Sequence, residues 1–176
     1  MTAHTSPPPI SKADGTDAEL DKSLRYSVSA PKLYALLVSE DAAAHWMGAD
    51  VIIDPAVGGE IRVSMPGWPE IVGEFLEVLE PQRLVVTWQA ADWGRPLLST
   101  IEIHADGPQD SRLSLRESGF GPDDDLLRRR DWLWSHWLVR LAAWGAQRGS
   151  LRGKPQTAPT SKNIRSEVAA RQVRPT

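Results

Sequence analysis

The stretch GEFLEVLEPQRLVVTW, residues 73–88, contains two apolar runs separated by Glu80 and Pro81. Proline has no backbone N–H to donate to a sheet and its φ is fixed, so it interrupts a strand and favours a turn. Residues on either side alternate, with Gly73 and Phe75 on one face and Glu74 on the other. The stretch therefore predicts two consecutive β-strands joined by a turn at Glu80–Pro81.

Alternating apolar residues predict further strands on both sides of this pair. The residues that share the apolar face are Leu24, Tyr26 and Val28, then Ile61, Val63 and Met65, then Ile101 and Ile103, and finally Leu113 and Leu115. Their neighbours are largely polar, which is typical of an antiparallel sheet with one buried face. Residues 51–53 are predicted to add a strand at the sheet edge.

Two short helices are predicted after the first strand. Pro31 suits the first turn of a helix, where its missing N–H leaves no hydrogen bond unmade. Ser39, followed by Glu40 and Asp41, resembles an N-cap with acidic first-turn residues, and predicts a second helix that ends near Trp46.

The segment DWLWSHWLVRLAAW, residues 131–144, predicts a long helix that covers the sheet. At 100° per residue its apolar positions form one broad stripe. The stripe contains Leu126, Leu133, Trp137, Leu141 and Trp144, widened by Leu127, Trp134 and Leu138. Three aspartates, residues 123–125, precede the helix, and Gly145 and Gly149 are predicted to mark where it weakens or ends.

This order of elements resembles the START-like (SRPBCC) superfamily, and within it the AHSA-like branch, named after the activator of the heat-shock protein 90 ATPase. The pieces that carry the resemblance are Val28 to Pro31 with Leu33 and Leu36, Trp46, Gly58 to Glu60, Gly73 to Phe75, Pro81 to Leu84, Thr87 and Trp88, and Trp134 with Leu138 and Leu141. The resemblance implies an α+β helix-grip fold: a curved antiparallel sheet wrapped around a long C-terminal helix, with two short helices after the first strand.

The resemblance covers residues 20–149, which we predict to be the folded domain. Residues 1–19 contain three consecutive prolines and predict a disordered leader. Residues 150–176 predict a disordered basic tail. The part of the chain from Arg148 onward contains seven basic residues and one acidic residue, so its net charge is +6. Because the whole chain has a net charge of −3, the part before Arg148 has a net charge of −9. Such an acidic body disfavours nucleic acid as a partner.

Composition sets further expectations. The chain of 176 residues has no cysteine, which excludes a disulfide framework and a thiol nucleophile. No apolar run approaches the roughly 20 residues of a membrane span, and the N-terminus does not resemble a secretory signal, so a cytoplasmic protein is expected. No metal ligand cluster and no cofactor motif is present in the sequence, and none is predicted.

In the superfamily the space between sheet and helix is the ligand site, although periodicity alone equally allows a filled core. The candidate residues for the wall or mouth of such a cavity are Trp46, Trp68, Phe75, Trp88, Trp93, Arg130, Leu133, Trp134, Trp137 and Leu141. The chain has eight tryptophans, and aromatic walls suit a hydrophobic ligand. For Trp88, Trp134, Trp137 and Trp144 core packing is the favoured interpretation, whereas for Trp46, Trp68 and Trp93 packing and a place at the pocket opening are both open.

Arg130 and Trp132 depart from the helical pattern. Arg130 falls within the apolar stripe, where a buried guanidinium needs an anionic partner or a route to water. One interpretation places it at the cavity mouth, paired with an acidic ligand or an internal carboxylate. The favoured interpretation is that its stem lies along the stripe while the guanidinium reaches solvent. Trp132 points away from the stripe, which indicates contact either with the loop before the helix or with a partner surface.

Three functions remain open. The first is a non-enzymatic domain that binds a hydrophobic small molecule, or a protein partner, in or over the cavity. The second is a cyclase or hydrolase of the polyketide type, for which Arg130, Glu74, Tyr26 and His104 are the available polar groups. The third, implied by the AHSA-like resemblance, is a co-chaperone-like interaction module in the stress response, using Trp132. The expected partners are a hydrophobic molecule, a chaperone or other protein, or a second copy in a dimer.

Overall fold

The computed structural model describes residues 18–150, and within them three helices and seven strands follow one another along the chain. Their bounds are β1 Leu20–Tyr26, α1 Ala30–Val38, α2 Glu40–Met47, β2 Asp50–Ile53, β3 Glu60–Ser64, β4 Ile71–Leu79, β5 Arg83–Ala90, β6 Leu97–Ala105, β7 Ser111–Ser118 and α3 Asp124–Ser150. The predicted leader and basic tail lie outside the described residues, apart from residues 18–19 and 150.

The strands form one antiparallel sheet in the order β1-β7-β6-β5-β4-β3-β2. The sheet curves around α3, and the short helices α1 and α2 pack beside α3. The predicted α+β helix-grip fold is therefore confirmed, including β2 as an edge strand. Val28 is buried as expected but follows β1 instead of belonging to it, and its carbonyl accepts a hydrogen bond from Ser111 Oγ at 2.7 Å.

The hairpin between β4 and β5 has its turn where the sequence predicts it. The Glu80–Pro81 peptide bond is cis, and Gln82 N donates to the carbonyl of Leu79 at 2.7 Å. Before the turn, the register of β4 shifts between Phe75 and Glu77, so the regular alternation ends there. This β-bulge changes which side chains in the second half of β4 face the core.

Local signals also position the helices. Pro31 lies in the first turn of α1, and Ser39 Oγ accepts a hydrogen bond from Ala42 N at the start of α2. Asp123 Oδ1 accepts one from Leu126 N, at 2.9 Å, at the start of α3. These contacts confirm the predicted helix starts, because each satisfies or removes an N–H that the first helical turn leaves free.

Gly145 does not end α3. The helix continues to Ser150, and Gly145 is buried where α3 meets α1. A Cβ at this position would lie 3.5 Å from Leu36 Cδ1 and 3.6 Å from Val28 Cγ1. These are ordinary van der Waals distances, so the packing leaves room for a Cβ, and the helix accommodates glycine in its interior at a modest cost in propensity.

Candidate functional site

The centre of the sheet–helix interface holds an ion pair between Arg130 of α3 and Glu117 of β7. Arg130 Nε donates to Glu117 Oε1 and Arg130 Nη2 donates to Oε2, both at 2.7 Å. The two side chains are 1% and 0% exposed. A two-point contact of this kind directs both charges toward each other and compensates for their removal from water.

Two further side chains complete the hydrogen bonds of the Glu117 carboxylate, and a third supports one of them. Ser99 Oγ and Trp134 Nε1 both donate to Oε2, the latter at 2.9 Å. Trp88 Nε1 in turn donates to Ser99 Oγ at 3.0 Å. The carboxylate therefore accepts four hydrogen bonds within a dry environment.

These contacts determine the charge state of Glu117. Burial by itself raises the pKa of a carboxyl group, but the positive charge of Arg130 and the hydrogen bonds from Arg130, Ser99 and Trp134 lower it by more. The pKa of Glu117 consequently lies below its ordinary value, and the side chain is ionised at neutral pH.

Four indole rings surround the Arg130 guanidinium. Its Cζ lies 5.6 Å from the ring centroid of Trp88, 5.1 Å from that of Trp93, 5.3 Å from that of Trp134 and 6.0 Å from that of Trp137. Trp134 also packs edge to face against both Trp88 and Trp137. Ring quadrupoles attract a cation within about 6 Å, so the cage adds to the stabilisation that Glu117 supplies.

A narrow crevice leads from the surface to this cage. Its buried lining is formed by Ile71, Ala90, Trp93, Leu126, Arg130 and Leu133, and its rim by Trp68, Pro69, Asp92 and Arg129. The crevice has a volume of only about 10 Å³, roughly that needed for one water molecule. Most of the space between sheet and helix is therefore filled by side chains.

One donor of Arg130, a residue that lines the inner part of the crevice, is unused. Arg130 Nη1 is buried and has no hydrogen-bond partner among residues 18–150, whereas Nε and Nη2 are both bonded to Glu117. Buried donors are almost always satisfied, because an unpaired one forfeits its hydration. Arg129 Nε at the rim is the other buried donor of the crevice lining without a hydrogen-bond partner among the described residues, although it lies 3.3 Å from Asp125 Oδ2.

The ten residues suggested by the sequence divide into three groups. Trp88, Trp93, Trp134 and Trp137 surround Arg130, while Trp68 and Leu133 join Arg130 and Trp93 in the lining of the crevice. The remaining three, Trp46, Phe75 and Leu141, are buried core residues that do not line it. Trp46 donates from Nε1 to the carbonyl of Leu36 at 2.9 Å and packs edge-on against Trp137.

The favoured interpretation of Arg130, a guanidinium that reaches solvent, is wrong. The side chain also does not lie at the cavity mouth, since it is 1% exposed at the inner end of the crevice. The alternative with an internal carboxylate is the observed one. Arg130 turns inward because the facing strand β7 presents Glu117 on its buried side.

Sequence reasoning missed Glu117 and Ser99. Both follow from the same alternation that identified their strands: Glu117 continues the inward series Leu113 and Leu115, and Ser99 precedes Ile101. A glutamate in phase with buried leucines predicts a buried charge, and Arg130 is the matching cation on the helix.

The polar groups considered for acid–base chemistry do not converge. Glu74 and His104 are exposed and lie on the outer face of the sheet, away from Arg130. Tyr26 is buried, but its hydroxyl donates to the carbonyl of Leu138 at 3.2 Å. Burial raises the pKa of Tyr26, which keeps the phenol neutral.

A second aromatic feature lies outside the crevice. Trp132 on α3 stacks on Trp68 at 6.1 Å between ring centroids, and on His136 at 5.4 Å, with the planes nearly parallel in both cases. Trp132 is 56% exposed and Trp68 is 38% exposed. The stack connects the outer face of α3 to the rim of the crevice.

Among residues 18–150, no group of three histidine, aspartate or glutamate side chains is arranged to hold a metal ion. In the same part of the chain, no helix combines the length and the apolar character needed to cross a membrane.

Comparisons with known proteins place this fold in a family. Residues 27–145 match the family model for Activator of Hsp90 ATPase homolog 1-like proteins. No curated protein matches the sequence.

Several solved structures share the fold. Protein MLL2253 from Mesorhizobium loti is 20% identical, with a TM-score of 0.68 over 74% of this chain and 98% of that one. PFC0360w, an HSP90 activator from Plasmodium falciparum, is 19% identical, with a TM-score of 0.61 over 71% and 94% of the two chains. Mll3558 from Rhizobium loti is 25% identical, with a TM-score of 0.60 over 72% and 96%. Since the family model spans most of the chain and the fold agrees, the chain belongs to the family of Activator of Hsp90 ATPase homolog 1-like proteins.

Proposed function

We propose that this domain binds a small, ring-containing hydrophobic molecule in the crevice between the sheet and α3. The observation that carries the proposal is the donor Arg130 Nη1, which has no partner among residues 18–150 and belongs to a lining that is mainly apolar and aromatic inside the charged rim residues Asp92 and Arg129. Ligand sites commonly combine such walls with a few placed polar groups. A bound molecule with an acceptor atom would satisfy this donor.

Binding requires the rim to move, because the crevice has a volume of about 10 Å³. Trp68 is the residue suited to this movement. It belongs to the turn Pro66-Gly67-Trp68-Pro69, is 38% exposed, and contacts α3 through its stack on Trp132. A ligand of one or two rings would take the place of the Trp68 indole at the rim of the crevice.

Native mass spectrometry of the chain purified from its own host tests the proposal, together with fluorescence titration against a panel of aromatic compounds. The expected result is a bound small molecule, or saturable quenching of the tryptophans. Ala90→Leu, which adds bulk to the crevice lining, is expected to abolish both signals. Ala142→Leu is the matched control, because Ala142 is a partly buried alanine that does not line the crevice.

The proposal is contradicted if the wild-type chain shows only its own mass and no compound of the panel changes its fluorescence. It is also contradicted if Ala90→Leu binds as tightly as the wild type while remaining folded by circular dichroism.

Binding of a protein partner is a second candidate function, supported by the outer face of α3. Trp132 is 56% exposed and Val139, two turns further on, is 62% exposed. Large exposed apolar residues on one face are typical of interaction sites. The family name suggests an Hsp90-type chaperone as the partner, and the rate of ATP hydrolysis by the purified host chaperone would test it. Stimulation by the wild type but not by Trp132→Ala would support this function, and an unchanged rate would exclude it.

A further inference from the structure

The charges around the crevice indicate which chemical class of ligand it takes, given the proposed binding function on which this inference rests. We infer that the ligand is an uncharged, planar molecule whose carbonyl oxygen accepts a hydrogen bond from Arg130 Nη1, and that carboxylates and other anions are disfavoured.

The donor is Arg130 Nη1. The Nε and Nη2 groups form one edge of the planar guanidinium and are both occupied by Glu117. Nη1 lies on the remaining side, in a residue that lines the crevice, and has no partner among the described residues. A guanidinium has donors only, so the complementary group on a ligand is an acceptor.

The two arginines that line the crevice are both paired with carboxylates and therefore offer little attraction to an anion. Arg130 is paired with ionised Glu117. Arg129 Nη1 lies 2.7 Å from Asp92 Oδ2 at the rim, and Arg129 Nε lies 3.3 Å from Asp125 Oδ2. Each cation is therefore already matched by a carboxylate within the site.

An anionic ligand would add a negative charge close to Glu117 in a buried, water-poor environment. A buried charge without its own counter-charge is costly, and a second carboxylate near an ionised one adds repulsion. A carbonyl oxygen supplies the same acceptor atom without a net charge. The balance of charge therefore favours ketones, quinones, amides or esters over acids.

The lining favours a flat ligand. The indole of Trp93 lines the inner part of the crevice, and that of Trp68 lines its rim. Further apolar lining comes from Pro69, Leu126 and Leu133. Aromatic side chains prefer offset stacking or edge contacts with another ring. A planar group between these walls makes such contacts while its carbonyl reaches Arg130.

Three probes of matched shape test the class: 2-acetylnaphthalene, 2-naphthoate and 2-ethylnaphthalene, titrated into the full chain by isothermal calorimetry. The ketone is expected to bind at least about tenfold more tightly than either other probe, because a hydrogen bond to a charged donor is worth a factor of that order. Tightest binding by 2-naphthoate would overturn the inference. Equal binding by 2-ethylnaphthalene and the ketone would also overturn it, because Nη1 would then contribute nothing.

A surface variant tests the role of charge without disturbing the buried pair. Asp92→Asn removes a rim carboxylate and leaves Arg129 with Asp125 as its remaining acidic partner, so the affinity for 2-naphthoate relative to that for 2-acetylnaphthalene is expected to rise. Asp21→Asn is the matched control, because it makes the same charge change on an exposed residue of β1 that does not line the crevice. An unchanged relative affinity of Asp92→Asn for 2-naphthoate would contradict the charge argument.

The outcomes separate this inference from the proposed function. If 2-ethylnaphthalene or 2-naphthoate binds in the crevice as tightly as the ketone, the binding function stands and the ligand class is wrong. If none of the three probes binds to the wild type or to Asp92→Asn, the carbonyl inference fails, and the native mass spectrum then decides whether the binding function fails with it.

Discussion

Arg130 of α3 and Glu117 of β7 are joined by two hydrogen bonds of 2.7 Å and are both excluded from solvent. The pair links the first third of the long helix to the strand next to β1, across the middle of the core. Desolvating two charges is expensive, so such a pair persists only where geometry and additional hydrogen bonds compensate. Here Ser99, Trp134 and the indole cage provide that compensation.

Removing one member of this pair is expected to destabilise the fold severely. Glu117→Leu leaves the Arg130 charge buried and uncompensated, and should lower the free energy of unfolding by about 3–5 kcal/mol. Urea denaturation followed by tryptophan fluorescence measures the change. Replacing both residues together, Glu117→Leu with Arg130→Met, should recover most of the loss, because neither charge then remains.

An exposed ion pair provides the control for that experiment. Lys22 Nζ lies 2.8 Å from Asp131 Oδ1, and the Asp131 side chain is 54% exposed. Asp131→Asn is expected to cost less than about 1 kcal/mol. A cost of Glu117→Leu no greater than that of Asp131→Asn would contradict the structural importance of the buried pair.

Stability should decline in acid through the titration of Glu117. Its pKa is lower in the folded state than in the unfolded chain, where the pKa of a glutamate is about 4.3. The unfolded chain therefore takes up the proton first. The contribution of Glu117 to the free energy of unfolding is complete above the pKa of the unfolded chain, and it is lost as the pH falls through the folded pKa.

Urea denaturation between pH 6 and pH 3 measures this dependence. The free energy of unfolding of Glu117→Gln, which cannot titrate at this position, should vary less steeply with pH than that of the wild type. Parallel curves for the two proteins would mean that other carboxyl groups account for the acid sensitivity.

The start of α3 depends on the side chain of Asp123, which accepts the Leu126 N–H at 2.9 Å. Asp123→Ala should lower the free energy of unfolding by about 1 kcal/mol, the usual cost of removing an N-cap. Asp124→Ala is the matched control, because Asp124 is an exposed residue of the first turn. Its charge near the helix N-terminus contributes only about 0.3 kcal/mol to the free energy of unfolding. Thermal denaturation of the two variants compares them, and equal effects would contradict the capping role.

Two glycines should respond to alanine with opposite signs. Gly145 lies within α3, and a Cβ there would make ordinary contacts of 3.5 Å and 3.6 Å with Leu36 and Val28. Gly145→Ala is expected to stabilise the protein by about 0.5–1 kcal/mol, because alanine has the higher helix propensity and restricts the unfolded chain.

Gly73 in β4 has no such space. A Cβ there would lie 2.5 Å from the carbonyl oxygen of Thr87 and 2.8 Å from Ile61 Cγ2. Gly73→Ala should destabilise the protein by about 1–3 kcal/mol, as overpacking does. The midpoints of urea denaturation measure both variants, and a loss of stability in Gly145→Ala would show that α3 and α1 pack more tightly than the structure indicates.

Most of the fold could be predicted from the sequence because its signals are local. Alternation along β6 and β7 identifies both strands, Pro81 identifies the turn, and Ser39 identifies the start of α2. The inward direction of Glu117 was also available from its phase with Leu115. The bulge in β4 was not, since it depends on the pairing of that strand with β5.

By itself the sequence determined the order of the strands and helices, the apolar face of each, and the presence of an arginine within the buried stripe of α3. Those features depend on residues within a few positions of one another. Only the tertiary structure decided that Arg130 meets Glu117, that Trp68 stacks on Trp132, and that side chains fill nearly all the space between sheet and helix. Such contacts join residues far apart in the chain, and no local periodicity records which of them the folded sheet brings within reach.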